Sequence, residues 1–492
     1  MSEPRRIRTL WLAALAIAIG ATTGHASQLL IGAATTSITP DKPVALSGQF
    51  HTRISRKPES PCTATALALE SRDGDTVIDQ AIMISCYLVA IRNTIQARFR
   101  EHVKARLPGF PIRKVFLNAT HTHTAPCMER GWYHYVIPKD GTMQPEEFAQ
   151  FLFERLADIA VKAWESRKPG GVSYTLGHAV VAQNRRIVYD NGRTHMYGKT
   201  NSPTFSHIEG YEDHGVDMLF FWTPDKKLKA IVIDVPCPAQ EVEGHRSVNA
   251  DYWHDVRAMF HKKYGKDIPV VAWCGAGGDQ SPHLMWRKRA EERMRRLRGI
   301  SRTQEIARRV MAAVDSTIGF ARKDIRTDVP FAHRVADIKL PRLMVTDKQL
   351  AVAKARHAKF AKRKNLTPVQ RTHMSREKRL IDRYDDQKKN PLYDMELHVL
   401  RLGDVAIATS PFELFVDYGV QIKARSKAVQ TFIIQLACNS GVYLPTERAI
   451  AGASYSATPH VSRVGPKGGK ALVNHTVKAI NALWAKPAKN TK

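Results

Sequence analysis

"RKVFLNATHTHTAP", residues 113–126, decides how the chain is read, because it runs an apolar strand into two closely spaced imidazoles. Val115-Phe116-Leu117 reads as the buried part of a strand. Upstream lie the apolar "DTVIDQAIMISCYLVAI" (75–91) and the amphipathic "TIQARFREHVKARL" (94–107), so the local order is strand, helix, strand. Downstream, "PEEFAQFLFERLADIAVKAWES" (145–166) repeats apolar residues at three and four and starts at Gln144-Pro145-Glu146-Glu147, which predicts a helix. Strands are expected in "GGVSYTLGHAVVA" (170–182), "VDMLFFWT" (216–223), "LKAIVIDVP" (228–236) and "DIPVVAWCGAGG" (267–278). Two more flank the Gly403-Asp404 turn in "ELHVLRLGDVAIATSPFELF" (396–415). The predicted class is α/β, with mixed β-sheets carrying helices on their faces.

On a strand, successive side chains point to opposite faces, so His121 and His123 are expected on one face with Thr120, Thr122 and Thr124 alternating. Two neutral imidazoles in one pocket suit a divalent ion, or a division of labour between a ligand and an acid or base. A solvated strand end accounts for the pair equally well, since H-x-H is far less specific than H-E-x-x-H.

The chain has 492 residues, 43% hydrophobic and 25% charged, which is the composition of a folded protein with a sizeable core. Residues 1–26 read as a signal peptide: Arg5, Arg6 and Arg8 precede the short apolar "LWLAALAIAIGA", and small residues follow at Gly24-His25-Ala26. Export to a secreted or periplasmic location is therefore expected, with an N-terminal anchor as the alternative. The six cysteines are too scattered for a disulfide framework, although an oxidising compartment would permit one or two bridges.

The formal net charge of +29 concentrates in "WRKRAEERMRRLRGISRTQEIARR" (286–309) and in a basic helical insertion at about 340–390. Such faces attract anionic lipid, polysaccharide or nucleic acid without specificity. No zinc-finger, RRM or helix-turn-helix signature is present, so an anionic membrane or envelope surface is the better partner for an exported chain, and a solvated charged face is the plainer alternative. The insertion is expected to be a flexible or membrane-facing arm. "QNRR" (183–186) and "YEDHG" (211–215) supply groups for a polar or anionic headgroup, or are ordinary loop charge.

"CGAGGDQSPH" (274–283) carries a strand into glycines, then Asp279, Ser281 and His283. Ser281 before Pro282 is a good helix N-cap, or else a serine displayed beside free N–H groups that stabilise an oxyanion. The loop matches neither a P-loop, a Rossmann fingerprint nor a G-x-S-x-G elbow. Glu413 in "ATSPFELF" follows a strand, as a helix-start residue or an oxygen ligand, and Tyr443 lies in a loop after another strand.

In chain order these segments resemble the neutral ceramidase family. Its H-T-H-S-G-P is matched by His121-Thr122-His123-Thr124-Ala125-Pro126, and its G-D-x-S-P-N by Gly278-Asp279-Gln280-Ser281-Pro282-His283. Its P-G-E-F is matched by Pro411-Phe412-Glu413-Leu414, and its Y-x-T-T-x-E-E-Y loosely by Tyr443-Leu444-Pro445-Thr446-Glu447. The opening "AATTSITPDKPVALSG" also looks like the family's, and the resemblance spans roughly residues 30–455. It implies a ceramidase-like catalytic domain over 27–485, in a divergent member lacking the family's C-terminal immunoglobulin-like domain.

By this resemblance His121, Glu413 and Tyr443 are zinc ligands, His123 supports the ligands from behind or stabilises the transition state, and Ser281 is the nucleophile, with Asp279 and His283 beside it. The remaining ligand, a histidine in the family, falls at Cys237 of "VIDVPCPAQEVEGH". A thiolate binds zinc well, so the site is retained in altered form, or His245 substitutes, or the metal is lost. "NADYWHDVR" keeps Asp251 and adds His254, and Cys86 stands where the family has an aspartate. The expected activity is zinc-dependent hydrolysis of an N-acyl sphingoid base or related lipid amide, by bound hydroxide or through a Ser281 acyl-enzyme. The alternatives are a hydrolase of another envelope or sugar-linked substrate, and a non-catalytic surface-binding protein.

Overall fold

A computed structural model describes residues 27–485, so the expected signal peptide lies outside the described residues. Three sheets face one another around a shared apolar centre. The first contains β1 (Gln28–Ser37), β2 (Thr63–Asp73), β3 (Thr76–Cys86) and β4 (Val115–Ala119), in the order β4-β3-β2-β1. The second contains β5 (Gly171–His178), β6 (Gly215–Trp222), β7 (Leu228–Val235) and β8 (Val270–Cys274), in the order β8-β7-β6-β5. The third is built from β9 (Phe331–Pro341), β10 (Leu392–Leu402) and β11 (Val405–Thr409). After β12 (Phe412–Leu414), β13 (Gln430–Ile434) completes it in the order β9-β10-β11-β13, while β12 pairs separately with β14 (Val442–Leu444).

Period-two alternation assigns each strand two cores. On β2, Leu67 and Leu69 face the centre with Met83 of β3, Trp273 of β8 and Ile407 of β11, while Ala64, Ala66 and Ala68 face outward. The small outward residues admit helices: α1 (Asn93–Lys104) and α2 (Pro145–Glu165) cover the first sheet, and α2 buries Phe148, Leu152 and Leu156 there. The expected start of α2 is correct, since Gln144 and Glu147 form a reciprocal capping box and Pro145 occupies the first turn. Burying each such leucine or phenylalanine contributes about 1.5–3 kcal/mol.

Helix α3 (Tyr252–Tyr264) packs with α5 (Arg302–Ala321) on the second sheet, and the arginine-rich α4 (Lys288–Arg298) between them buries no side chain. Helices α6 (Asp347–Ala361) and α7 (Pro368–Asp386) form a hairpin between β9 and β10, and α8 (Val416–Arg425) and α9 (Pro466–Ala482) cover the third sheet. Among the described residues no helix is long and apolar enough to cross a membrane. All six cysteines are buried and free, each used as a small apolar side chain.

Each sheet holds one parallel pair: β3 with β4, β7 with β8, and β11 with β13. Ligand sites in α/β folds lie beyond the carboxyl ends of parallel strands. Here the three sets of carboxyl ends feed the loops that carry the candidate residues.

Candidate functional site

The first loop leaves β4 at Ala119, two residues before His121, and His121 itself has a positive φ of 66°. The strand alternation expected for the two histidines therefore does not operate, and a turn brings the rings together instead. Their planes meet edge to face at 4.6 Å, with Nε2 to Nε2 at 3.1 Å. Thr120, Thr122 and Thr124 are buried rather than solvated, and Thr120 and Thr122 bond each other at 2.8 Å.

Two segments close over the back of this loop. Gly48 has φ +98°, and a Cβ there would lie 2.8 Å from the His123 ring, so only glycine allows this approach. The fully buried Arg53 donates to the carbonyls of Ser47 and His123 at 2.6 Å and to those of Glu243 and His245 at 2.5 and 2.8 Å.

Glu413 and Tyr443 are direct register partners on the parallel pair β12–β14, which explains why a strand-end carboxylate and a distant loop phenol share one site. Glu413 Oε2 lies 3.4 Å from His121 Nε2. Burial would raise the Glu413 pKa, but His121, Arg185 and Tyr443 hold the carboxyl below its usual range. Gly278 explains the glycine loop after β8. Its N–H donates to Leu414 O at 2.8 Å, and a Cβ would lie 2.2 Å from Glu413 O.

A buried arginine sits among these groups. Arg185 donates to Gly278 O at 2.8 Å, Tyr197 Oη at 2.9 Å, Gln240 Oε1 at 3.1 Å and Tyr443 Oη at 3.3 Å, and lies 3.8 Å from Glu413. Arg186 beside it forms a bidentate pair with Glu209 at 2.7 and 2.9 Å. "QNRR" is thus a buried structural and site element, not loop charge. "YEDHG" serves packing: Glu212 accepts from Asn184 N, and Asp213 lies 3.5 Å from Lys423.

The residues after β8 divide their roles. Asp279 is buried and accepts from Val416 N at 2.9 Å and Asn184 Nδ2 at 3.0 Å, so it caps the first turn of α8, and burial lifts its pKa to about 7. Ser281 is not at a helix N-cap. It lies in a two-residue strand, Gln280–Ser281, paired with Gln183–Asn184. Its Oγ accepts from His283 N at 3.2 Å and lies 3.2 Å from Tyr197 Oη. The His283 ring turns away to Glu243 at 3.4 Å and Glu241 at 4.0 Å.

Glu243 lies between His283 and His123, 3.0 Å from His123 Nδ1. Burial would raise its pKa, but the two imidazoles keep it well below the usual range. His123 shifts the other way, lowered by burial and by His121, so its ring is neutral near pH 7.

Cys237 does not join the cluster. It is fully buried in the core behind the site, its Sγ facing Pro238 O at 3.7 Å, while Gln240 and Glu243 of the same loop reach the cleft. Burial raises its thiol pKa well above the ordinary value. His245 is half-exposed and paired to Glu59 at 2.8 Å. Asp251 is the N-cap of α3, and Cys86 is core.

His121 Nδ1 lies 2.7 Å from Val89 O, which can only accept, so Nδ1 carries a proton and Nε2 is the ring nitrogen turned to Glu413. Imidazole, carboxylate and phenol here form a donor set that zinc accepts with an open fourth position.

Among the described residues, Glu396, His398 and Cys438 form a separate group whose three donor atoms lie within 4.8 Å of one another and could hold a metal ion. Glu396 there is already engaged by Arg100 at 2.7 and 3.0 Å, by Arg113 at 3.1 Å and by His398 at 2.7 Å.

The first centre opens into a cleft of about 810 Å³, large enough for a drug-sized ligand. Helix α7 forms part of its wall through Arg376, Arg379, Leu380 and Arg383, so the basic insertion lines the site and is not a detached arm. Sequence reasoning missed Arg53, Tyr197, Gln240 and Glu243, none of which stands in a motif.

No protein-family model and no curated protein matches the sequence. The fold does have counterparts. Neutral ceramidase from Pseudomonas aeruginosa superposes with TM-score 0.66 at 15% identity, over 94% of this chain and 76% of that one. A ceramidase solved in complex with C2 superposes with TM-score 0.64 at 15% identity, over 93% and 75%.

Proposed function

From a chain that shares the fold of neutral ceramidase, we propose a zinc-dependent hydrolase of an amide bond, acting on an N-acyl lipid amide in an exported setting. The observation that carries this reading is the approach of His121 Nε2 to Glu413 Oε2 at 3.4 Å, with Tyr443 the register partner of Glu413, in the lining of the cleft. His121, Glu413 and Tyr443 would hold the ion, and a zinc ion in such a site acts as a Lewis acid and lowers the pKa of water.

The chain's own groups supply the rest. Val89 O fixes the tautomer of His121. His123, neutral and backed by the ionised Glu243, takes and returns a proton at Nε2, and Glu243 stabilises the imidazolium that forms. Arg185, with four hydrogen-bonded partners, gives a fixed positive field beside the developing oxyanion. Ser281 either attacks the carbonyl or orders the pocket through Tyr197. S281A separates these roles: loss of turnover together with a trapped acyl adduct in the parent supports attack by serine, whereas substantial residual turnover without an adduct removes that route.

The test of the function is metal analysis of the purified chain alongside an N-acyl amide panel that includes N-acyl sphingoid bases. About one zinc per chain and chelator-sensitive turnover are expected. Zinc well below one equivalent after supplementation, with no turnover, would leave only a binding role.

A further inference from the structure

The cleft that holds the His121–Glu413 centre is also lined by a group of arginines. Arg376 and Arg379 come from α7, Arg463 from the loop before α9, and Arg92 from the turn before α1. Among the described residues none of these four has a carboxylate within 4.0 Å. The carboxylates that face the cleft are committed elsewhere: Asp386 to Arg342 at 2.8 Å, Asp394 to Lys339 at 2.5 Å, Asp382 to Lys378, and Glu243 and Glu413 to the histidines.

The guanidinium groups rest on aromatic faces instead. Arg376 lies 5.2 Å from the Phe50 ring centroid and 5.3 Å from Tyr455, and Arg92 and Arg463 lie 4.0 and 5.8 Å from Trp132. These contacts fix the planes of the guanidiniums and leave their N–H edges for a ligand. Arg379 is the least engaged: it is exposed, and its one hydrogen bond is a long 3.4 Å contact to Gly131 O. A group of like charges with no protein counterion attracts an anion from solution.

The connection to the reactive centre is short. Tyr455 packs edge to face on Tyr443 at 5.9 Å and lies 5.3 Å from Arg376, so one aromatic ring links the centre to the arginines. We propose that the amide substrate carries an anionic group, a carboxylate, sulfonate or phosphate ester, bound by Arg376, Arg379 and Arg463 while its amide lies at His121 and Glu413. This rests on the hydrolase reading above. It differs from a neutral amide lipid in its demand for a counter-charge, and planar forked donors suit an oxyanion held by two edges.

The test compares N-dodecanoyl taurine with N-dodecanoyl ethanolamine, which match in acyl chain and differ in the terminal charge. In the zinc-loaded protein kcat/KM is expected to favour the taurine conjugate at least tenfold, and R379Q/R463Q is expected to cut that ratio at least tenfold. K354Q/K362Q, which neutralises exposed lysines of the same hairpin, controls for general surface charge and should leave the ratio unchanged. Equal rates on both substrates, or a ratio that R379Q/R463Q leaves intact while its unfolding temperature is unchanged, would overturn the inference with the hydrolase reading still standing. If the parent cleaves neither conjugate, the hydrolase reading is the one in difficulty. Calorimetric binding of N-dodecanoyl taurine then decides: salt-sensitive binding lost in R379Q/R463Q supports the anion site, and binding that is absent or charge-independent rejects it.

Discussion

Gly278→Ala tests how the glycine loop builds the site. A Cβ at this position would lie 2.2 Å from Glu413 O, 2.5 Å from Glu413 C and 3.0 Å from Leu414 C, all of them backbone atoms with no flexible end to swing aside. Ordinary contact begins near 3.4 Å, so β12 must retreat by about 1 Å, or the loop must move by as much. Overpacking of this kind costs about 1–3 kcal/mol, and the displaced atoms belong to the residue that faces His121. A displacement of about 1 Å at a reacting centre costs about a hundredfold in rate. The assays are chemical denaturation, zinc titration and amide turnover, with Gly319→Ala on α5 as the comparison. Nothing lies within 4 Å of a Cβ at Gly319, so that change should stabilise by about 0.5–1 kcal/mol. If G278A unfolds within about 0.5 kcal/mol of the parent and binds zinc within threefold of it, the claim that this glycine seats Glu413 is wrong.

Glu209→Ala should destabilise by about 3–5 kcal/mol in denaturant, because it strands the fully buried Arg186 that ties Ala449, Ala453 and Ser456 to the sheet; a loss under 1 kcal/mol contradicts this. His121→Ala should lower zinc affinity at least tenfold with little change in circular dichroism, measured by competition with a chromogenic chelator. The pH dependence of stability should carry the mark of His333, whose pKa burial and the neighbouring His398 push well below the imidazole range. A histidine with a depressed folded pKa contributes stability that is complete above about pH 6.5 and is lost as the pH falls below it. Denaturation midpoints should therefore drop on acidification from about pH 6.5, and H333Q should flatten that limb; an unchanged slope in the variant would assign the loss to other groups.

Local patterns marked β3 to β8, α1 and α2 in their order, because period-two and 3.6-residue repeats and capping residues act over a few neighbours, while β1, β2, β9, α3, α8 and α9 carried no such clear mark. The Gln144–Glu147 box and the apolar run before His121 were legible for that reason. The same local signals marked His121, His123, Asp279, Ser281, Glu413 and Tyr443 as candidates, but not what each one touches. Only the tertiary structure put Glu413 opposite Tyr443, made Asp279 the cap of α8, withdrew Cys237 into the core and turned Arg185 from apparent loop charge into the buried cation of the site. It also laid α7 along the cleft, where the charge of the segment had suggested a flexible or membrane-facing arm. The physical reason is that these relations depend on where the carboxyl ends of three separate parallel pairs meet. That meeting is fixed by packing the sheets on a common centre, among residues tens to hundreds of positions apart, and leaves no trace in any short window of sequence.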